Sequence, residues 1–304
     1  MTQLILHHFD ASPFAEKVRV ALGIKGLAWD SVQIPMVMPK PDLVALTGGY
    51  RKTPVLQIGA DIYCDTQRIA RELDTRFPDA PLLSGRNRAL TQVVASWSDQ
   101  SLFQPGAGLS MGTNLDLPEA VLADRFAFFD FLDREQLPTQ VPHLFAQFRA
   151  GLQYLEDMLS DGRTFLLGSD PGWADASCYA PVWMCRGNIA GAGQLLECLP
   201  FLQSWEQRML ELGHGQQGET TARKAHDVAK SSRSTEQVAL APDRWPQLDE
   251  GAAVTVTPED YGAVPVSGAL LRLTQHDIAI RRSDPLVDEV VVHFPRSGYR
   301  VNTL

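Results

Sequence analysis

The sequence predicts an α/β N-terminal domain, an all-α domain after it, and a small β-rich C-terminal domain. Three observations predict this order. Short apolar strands and amphipathic helices alternate over the first eighty residues or so, and apolar residues then recur every three to four positions from about residue 86 to 213. The last stretch returns to short strand-like runs separated by turns. A chain of 304 residues fits two domains of about 150 with room for a third, small one. The expected boundaries are 1–80, 86–231 and 238–304.

Residues 4–7 read as a strand, and Ser12-Pro13 then opens a helix with Phe14, Val18 and Leu22 on one face. Serine at the N-cap followed by proline at the first helical position is a strong helix start. Gly23 and Gly26 mark its end, and residues 29–34 give a second strand. The Pro-rich stretch PMVMPKPD reads as loop, and a helix or loop follows it. Residues 54–58 and 62–64 flank Gly59-Ala60-Asp61 as a tight hairpin. A helix then starts at Asp65-Thr66, buries Ile69, Leu73 and Phe77, and stops before Pro78. Five helical patterns follow, over 89–103, 118–135, 141–159, 173–186 and 200–212, and such a run packs as an all-α domain. Residues 216–230 read as one more helix, followed by the polar stretch SSRSTEQ. Strands are expected at 253–257, 268–273, 278–282 and 290–294, in a small antiparallel module.

Composition narrows the function. With 27 basic and 36 acidic residues the net charge is −9, which disfavours a phosphate-tracking nucleic-acid partner. No uninterrupted apolar stretch approaches the roughly eighteen residues of a membrane helix. The opening MTQLILHHFD lacks the basic lead and apolar core of a signal peptide, so a cytoplasmic location is expected. Cys64, Cys178, Cys185 and Cys198 form no CxxC and no zinc spacing, and the seven histidines include no HExxH and no i, i+4 pair. No metal is expected. TGGYRKT superficially suggests a phosphate loop, but it lacks the spaced glycine before Lys52 and runs into Pro54. Cys64, at a strand end, reads as packing.

The succession SPFAEKVRVAL, KPDLVALTGGYRKTPVLQIG and IYCDTQRIARELDTRFP, followed by an all-helical domain, resembles the glutathione transferase superfamily over about the first 215 residues. The Ser-Pro-Phe-x-x-Lys-Val-Arg start is most similar to omega-type and related bacterial serine members. The resemblance implies a thioredoxin-like first domain, glutathione as co-substrate, a detoxification-type transfer, and a homodimer built across the first domain. It also assigns residues. Thr53-Pro54 matches the motif whose proline is cis and whose preceding residue pairs its backbone with the cysteinyl part of glutathione. Asp65-Thr66 matches the acidic-plus-hydroxyl pair for the γ-glutamyl end, with threonine where relatives usually have serine. Lys40 lies on the loop where relatives place a base for the glycyl carboxylate, and Arg51 and Lys52 compete for that role. Asp175 matches a helix-starting box in the helical domain, weakened by Gly172 where the family has Ser or Thr.

The chemistry singles out Ser12. A cysteine thiol titrates at about 8.5, so little of it is thiolate at neutral pH. Lowering that value by about two units takes roughly 2.7 kcal/mol of preferential thiolate stabilisation. A hydroxyl at a helix N-terminus can supply much of this, and Ser12 is placed to be that donor, although capping alone would also account for a serine there. Serine cannot form a mixed disulfide, so thiol–disulfide exchange is disfavoured. The expected reaction is conjugation of the glutathione thiolate to an apolar electrophile, lined by side chains such as Trp97, Phe103 and Met111. The alternative is a non-catalytic glutathione-binding or regulatory scaffold whose β tail binds a partner.

Overall fold

The computed structural model describes residues 3–83, 87–114 and 116–304. The chain divides into two compact units. One comprises Met1–Ser12, Ala28–Glu72 and Gln217–Leu304, the other Pro13–Leu27 and Leu73–Gln216.

The first unit is built on a sheet with eleven strands among the described residues. Its N-terminal part contains β1 (Ile5–His8), β2 (Ala28–Gln33), α2 (Pro41–Thr47), β3 (Val55–Ile58), β4 (Asp61–Cys64) and the start of α3 (Thr66–Arg76). The connection between β1 and β2 carries α1 (Pro13–Ile24), which is counted with the second unit. Strand β1 lies parallel to β2 and antiparallel to β3, and β3 and β4 form the hairpin, turned by Gly59 in a left-handed conformation (φ 63°). Helix α2 occupies the segment that reads as helix or loop. Gly48 caps it with φ 77°, a conformation that costs glycine little, and this explains the TGG that mimics a phosphate loop.

The stretch 216–230 is not one helix. It divides into β5 (Gln216–Glu219) beside β2, and α11 (Ala222–Ser231). A Cβ at Gly218 would stand 2.6 Å from Asp30 Oδ1, so a larger residue there would have to turn the Asp30 carboxylate aside. Thr221 then starts α11 by accepting from Lys224 N at 3.3 Å.

The β-rich tail is present, with more strands than its sequence suggests: β6 (Ala239–Leu240), β7 (Ala253–Pro258), β8 (Val266–Leu273), β9 (Asp277–Asp284), β10 (Asp288–Pro295) and β11 (Tyr299–Thr303). It does not form a sheet of its own. The strand order is β11-β7-β8-β9-β10-β4-β3-β1-β2-β5, with β6 paired to β8. Strand β10 runs parallel to β4, with Val291 opposite Asp61, Val292 opposite Ile62 and His293 opposite Tyr63. The cause lies in the core. Val290, Val292 and Phe294 share one buried cluster with Ile5, Val55 and Ile62, while Val291 packs with Leu271 and Ala279 in another. A strand buried on both faces belongs inside a sheet rather than at its rim.

The second unit is helical: α1, α4 (Arg88–Trp97), α5 (Phe103–Gly112), α6 (Glu119–Phe128), α7 (Leu137–Leu159), α8 (Trp173–Asn188), α9 (Ala192–Leu196) and α10 (Pro200–Leu212). Helix α8 packs against α1 and α4, and α5 against α7. The pattern expected as one helix over 89–103 is interrupted by a π-helical turn at Ser98–Leu102. Pro105 follows it and cannot donate a backbone hydrogen bond to the preceding turn. Helix α6 stops at Phe128, short of the expected 135, where Phe129 leaves helical geometry (ψ 81°) and is buried. No helix among the described residues is long and apolar enough to cross a membrane.

Candidate functional site

Sheet topology brings the predicted residues to one end of the first unit. Strands β1 and β2 run parallel, and β3 and β4 pair in hairpin register, with His7 opposite Val55 and Val55 opposite Cys64. The residues that follow β1, β2 and β4 and those that precede β3 therefore emerge together. Loops at the carboxyl ends of strands are where α/β sheets form their sites. Ser12 lies four residues after β1, Lys40 between β2 and α2, Thr53-Pro54 ahead of β3, and Asp65-Thr66 after β4.

Each is held locally. Ser12 is buried and its N–H donates to Phe9 O at 3.1 Å, closing a turn one residue before Pro13 begins α1. The Thr53–Pro54 peptide bond is cis. Lys40 is buried, its Nζ donates to Thr53 Oγ1 at 3.4 Å, and it lies 5.4 Å from the centre of the Phe9 ring. Arg51 is half-buried, and Lys52 pairs with Asp260 of the tail and rests on Tyr261. Of the three competing bases, Lys40 is thus the one bonded to Thr53.

Asp65 has φ 74°, a left-handed conformation that aspartate tolerates better than most residues. Its carbonyl accepts from Ile69 N at 3.0 Å and its Oδ1 from Gln67 N at 2.9 Å, so it caps α3. Thr66, the first residue of that helix, is buried. That cap employs one carboxylate oxygen. The other, Oδ2, accepts from the hydroxyl of Tyr299 at 2.9 Å. The Tyr299 hydroxyl meets that of Tyr50 at 2.9 Å, and both tyrosines are buried. Burial, reinforced by the Asp65 charge, pushes both phenols well above their ordinary value, so they remain neutral donors. Burial likewise raises the Cys64 thiol, in line with a packing role. Tyr50, Tyr299 and Asp260 were missed from sequence because their contacts with the site depend on tertiary register and no local motif carries them.

Comparison with known proteins gives the lineage. The family model described as glutathione S-transferase, N-terminal domain, matches residues 6–81, and that described as glutathione S-transferase, C-terminal domain, matches residues 119–208. The crystal structure of a GST-like protein from Pseudomonas syringae has a TM-score of 0.80 to this chain at 34% identity, covering 100% of both chains. The chain belongs to the glutathione transferase superfamily. Glutathione S-transferase U3 of Arabidopsis thaliana is 30% identical over 99 residues, which are 32% of this chain and 44% of that protein. Glutathione S-transferase U4 of the same plant is 26% identical over 129 residues, 42% and 57% of the two chains. The chain spans about half the length of these curated relatives.

In this transferase-family chain the helical unit carries a shallow cleft of its own, lined by Pro13, Phe14, Lys17, Asp99, Phe103 and Pro181 among others. Phe103 was expected to line an electrophile site. Trp97 tilts against Tyr154 with ring centres 6.1 Å apart, and Met111 is buried in the core. Lys17 is fully buried, donates to both Asp99 oxygens at 2.7 Å and lies 4.5 Å from the Trp173 ring centre, so its charge is matched. Asp175 exceeds its expected part. Its Oδ2 accepts from Gly172 N at 3.0 Å, and its Oδ1 accepts from Leu166 N at 2.8 Å and Trp205 Nε1 at 2.9 Å. These two further donors tie the start of α8 to the segment at Leu166 and to α10.

Proposed function

We propose that this chain conjugates the thiol of glutathione to an apolar electrophile. One observation supports the reading: a buried lysine, two hydroxyls, a cis X-Pro junction and a carboxylate stand beyond the same ends of β1, β2, β3 and β4. That donor set is complementary to a tripeptide with two carboxylates, an ammonium and a thiol. Glutathione supplies, when bound, the thiol that becomes the nucleophile.

The chain's own residues bind and polarise it. Lys40 draws the glycyl carboxylate, and the Thr53 backbone pairs with the cysteinyl amide. Asp65 accepts from the γ-glutamyl ammonium, and Thr66 with the N-terminus of α3 takes the α-carboxylate. Ser12 donates its hydroxyl hydrogen to the sulfur, so that the thiol proton leaves to solvent and negative charge stays on sulfur. The sulfur lone pair then forms the carbon–sulfur bond while the electrophile expels its leaving group or accepts a proton. A homodimer, a cytoplasmic location and a detoxifying role belong to the same reading.

Ser12→Ala is the test. With a model aryl halide, turnover is expected to fall at least about tenfold while calorimetric affinity for glutathione stays within about twofold. Unchanged turnover removes Ser12 from the mechanism. Absence of glutathione binding at millimolar ligand would instead favour the scaffold reading.

A further inference from the structure

The geometry points to Tyr299, on the last strand of the β tail, as a positioning residue of the γ-glutamyl subsite: its hydroxyl orients the Asp65 carboxylate toward a ligand ammonium. This rests on the glutathione reading above and adds to it a function for the tail.

Asp65 has two carboxylate oxygens, and the fold engages both. Oδ1 is taken by Gln67 N at 2.9 Å and Oδ2 by the Tyr299 hydroxyl at 2.9 Å. A carboxylate oxygen has two lone-pair directions, so each keeps one for an incoming cation. With both oxygens tethered the carboxylate plane cannot rotate, and the remaining lone pairs face fixed directions. The cap through Gln67 alone would leave the second oxygen without a tether.

Tyr299 is itself fixed. Its hydroxyl is shared with that of Tyr50 at 2.9 Å, so a chain of donors runs from Tyr50 through Tyr299 to Asp65. Its ring lies 5.5 Å from that of Phe294, and Tyr50 meets Phe294 edge-on at 5.9 Å. Phe294 is on β10, the strand that pairs with β4, and β4 ends immediately before Asp65. Arg296 Nη1 donates to Tyr299 O at 2.8 Å and holds the backbone from which the ring projects. The tail also reaches the neighbouring loop through the Lys52–Asp260 pair, next to Thr53. A phenol buried beside a carboxylate with its burial-raised pKa remains a donor throughout the neutral range.

The test is calorimetric titration of the full chain with glutathione and with its des-amino analogue, glutaryl-cysteinyl-glycine, which lacks the ammonium. Tyr299→Phe is expected to weaken glutathione about tenfold, the scale of one hydrogen bond to a charged group, and to leave the analogue within about twofold. A purely structural role would weaken both ligands equally. Tyr50→Phe, which keeps the Tyr299–Asp65 bond and removes only its support, is expected to show the same selectivity at about two- to threefold, and carries the test if Tyr299→Phe does not fold. Equal losses for both ligands, no loss for glutathione, or tighter glutathione binding in the folded variants overturns the assignment while leaving the glutathione reading intact. A wild-type chain that binds neither ligand overturns both.

Discussion

Asp61→Ala is expected to loosen the junction at which the tail joins the sheet. Asp61 opens β4 and is buried, and its Oδ1 accepts from Ser234 Oγ at 2.5 Å and from His293 Nε2 at 2.9 Å. Both partners come from the C-terminal segment, one ahead of the tail strands and one on β10. His293 stacks on Tyr63 of β4 with ring centres 4.5 Å apart and planes 16° apart. Its buried Nδ1 has no hydrogen-bond partner among the described residues and faces Glu236 Oε2 at 3.8 Å, so the hydrogen bond of this ring is the one at Nε2. Removing the carboxylate deletes two hydrogen bonds to it, one buried and one part-buried, each worth about 1.5–3 kcal/mol, and leaves the buried Nε2 of the imidazole without its acceptor. Relief of the buried charge offsets part of that, and the net expected cost is about 3 kcal/mol.

A double-mutant cycle isolates the pair. His293→Phe keeps the stack on Tyr63 and removes the orphan, so Asp61→Ala in that background should cost about 1.5 kcal/mol less than in the wild type. Opening free energies from hydrogen exchange of peptides over 288–295 and 61–64 report this unit directly. Asp61→Ala opening energies within about 0.5 kcal/mol of wild type, or strict additivity in the cycle, would refute the claim that this contact fastens the tail.

Three further outcomes are expected. Asp175→Ala leaves Leu166 N, Gly172 N and Trp205 Nε1 without their acceptor, and should cost the helical unit about 3–5 kcal/mol in urea unfolding; a loss under about 1 kcal/mol would contradict the geometry. His7 is buried against Gln57 Oε1, and burial lowers its pKa from 6.5 to about 4. Below pH 6.5 the unfolded chain therefore takes up a proton that the folded chain refuses, so stability falls from pH 6.5 down to about 4, by up to about 3 kcal/mol. His7→Asn should flatten that slope by nearly one proton in urea midpoints measured across the range, and an unchanged slope would exclude His7 as its source. Iodoacetamide on the native chain at pH 8 should label exposed Cys198 well before Cys64, Cys178 and Cys185, whose thiols burial raises; rapid Cys64 labelling would show that its strand end opens.

The elements legible in the sequence are those specified by neighbours in the chain. Ser12-Pro13, the β3–β4 turn at Gly59 and the Ile69, Leu73 stripe of α3 each encode their structure within a few residues. Ser12, Asp65 and Thr66 lie in such segments, whereas Lys40 and Thr53-Pro54 stand in loops, and it is the pairing of β1 to β4 that gathers all six at one end. What sequence reading missed depends on contacts between distant segments. Gln216–Glu219 is strand because Ser31 O accepts from Thr220 N at 2.9 Å and Gly218 fits against Asp30; Gly218 and the Thr221 cap speak locally against one continuous helix, but the pairing with β2 has no local signal. One signal was present and went unused. VVVHF in β10 does not alternate apolar and polar residues, so both of its faces had to be covered, which a small open module could not do. The Tyr299–Asp65 bond spans 234 residues and has no sequence signature.

The placement of the tail follows from a problem the N-terminal sheet would otherwise have. Without β10, β4 would be an outer strand made of Asp61, Ile62, Tyr63 and Cys64, all buried in the folded chain, and an apolar outer strand invites pairing with other chains. Covering it with a parallel strand requires a long connection, and here the chain from 65 to 287 supplies it, passing through the helices and then through β5, α11 and β6 to β9. Strand β4 is also the strand that delivers Asp65 to the candidate site. The same pairing that buries the outer strand therefore brings Tyr299 within reach of the carboxylate, since β11 returns through β7 to the core that Phe294 and Tyr50 share. Protection of the sheet and positioning of Asp65 are two consequences of one strand pairing, so a substitution that displaces β10 must act on both.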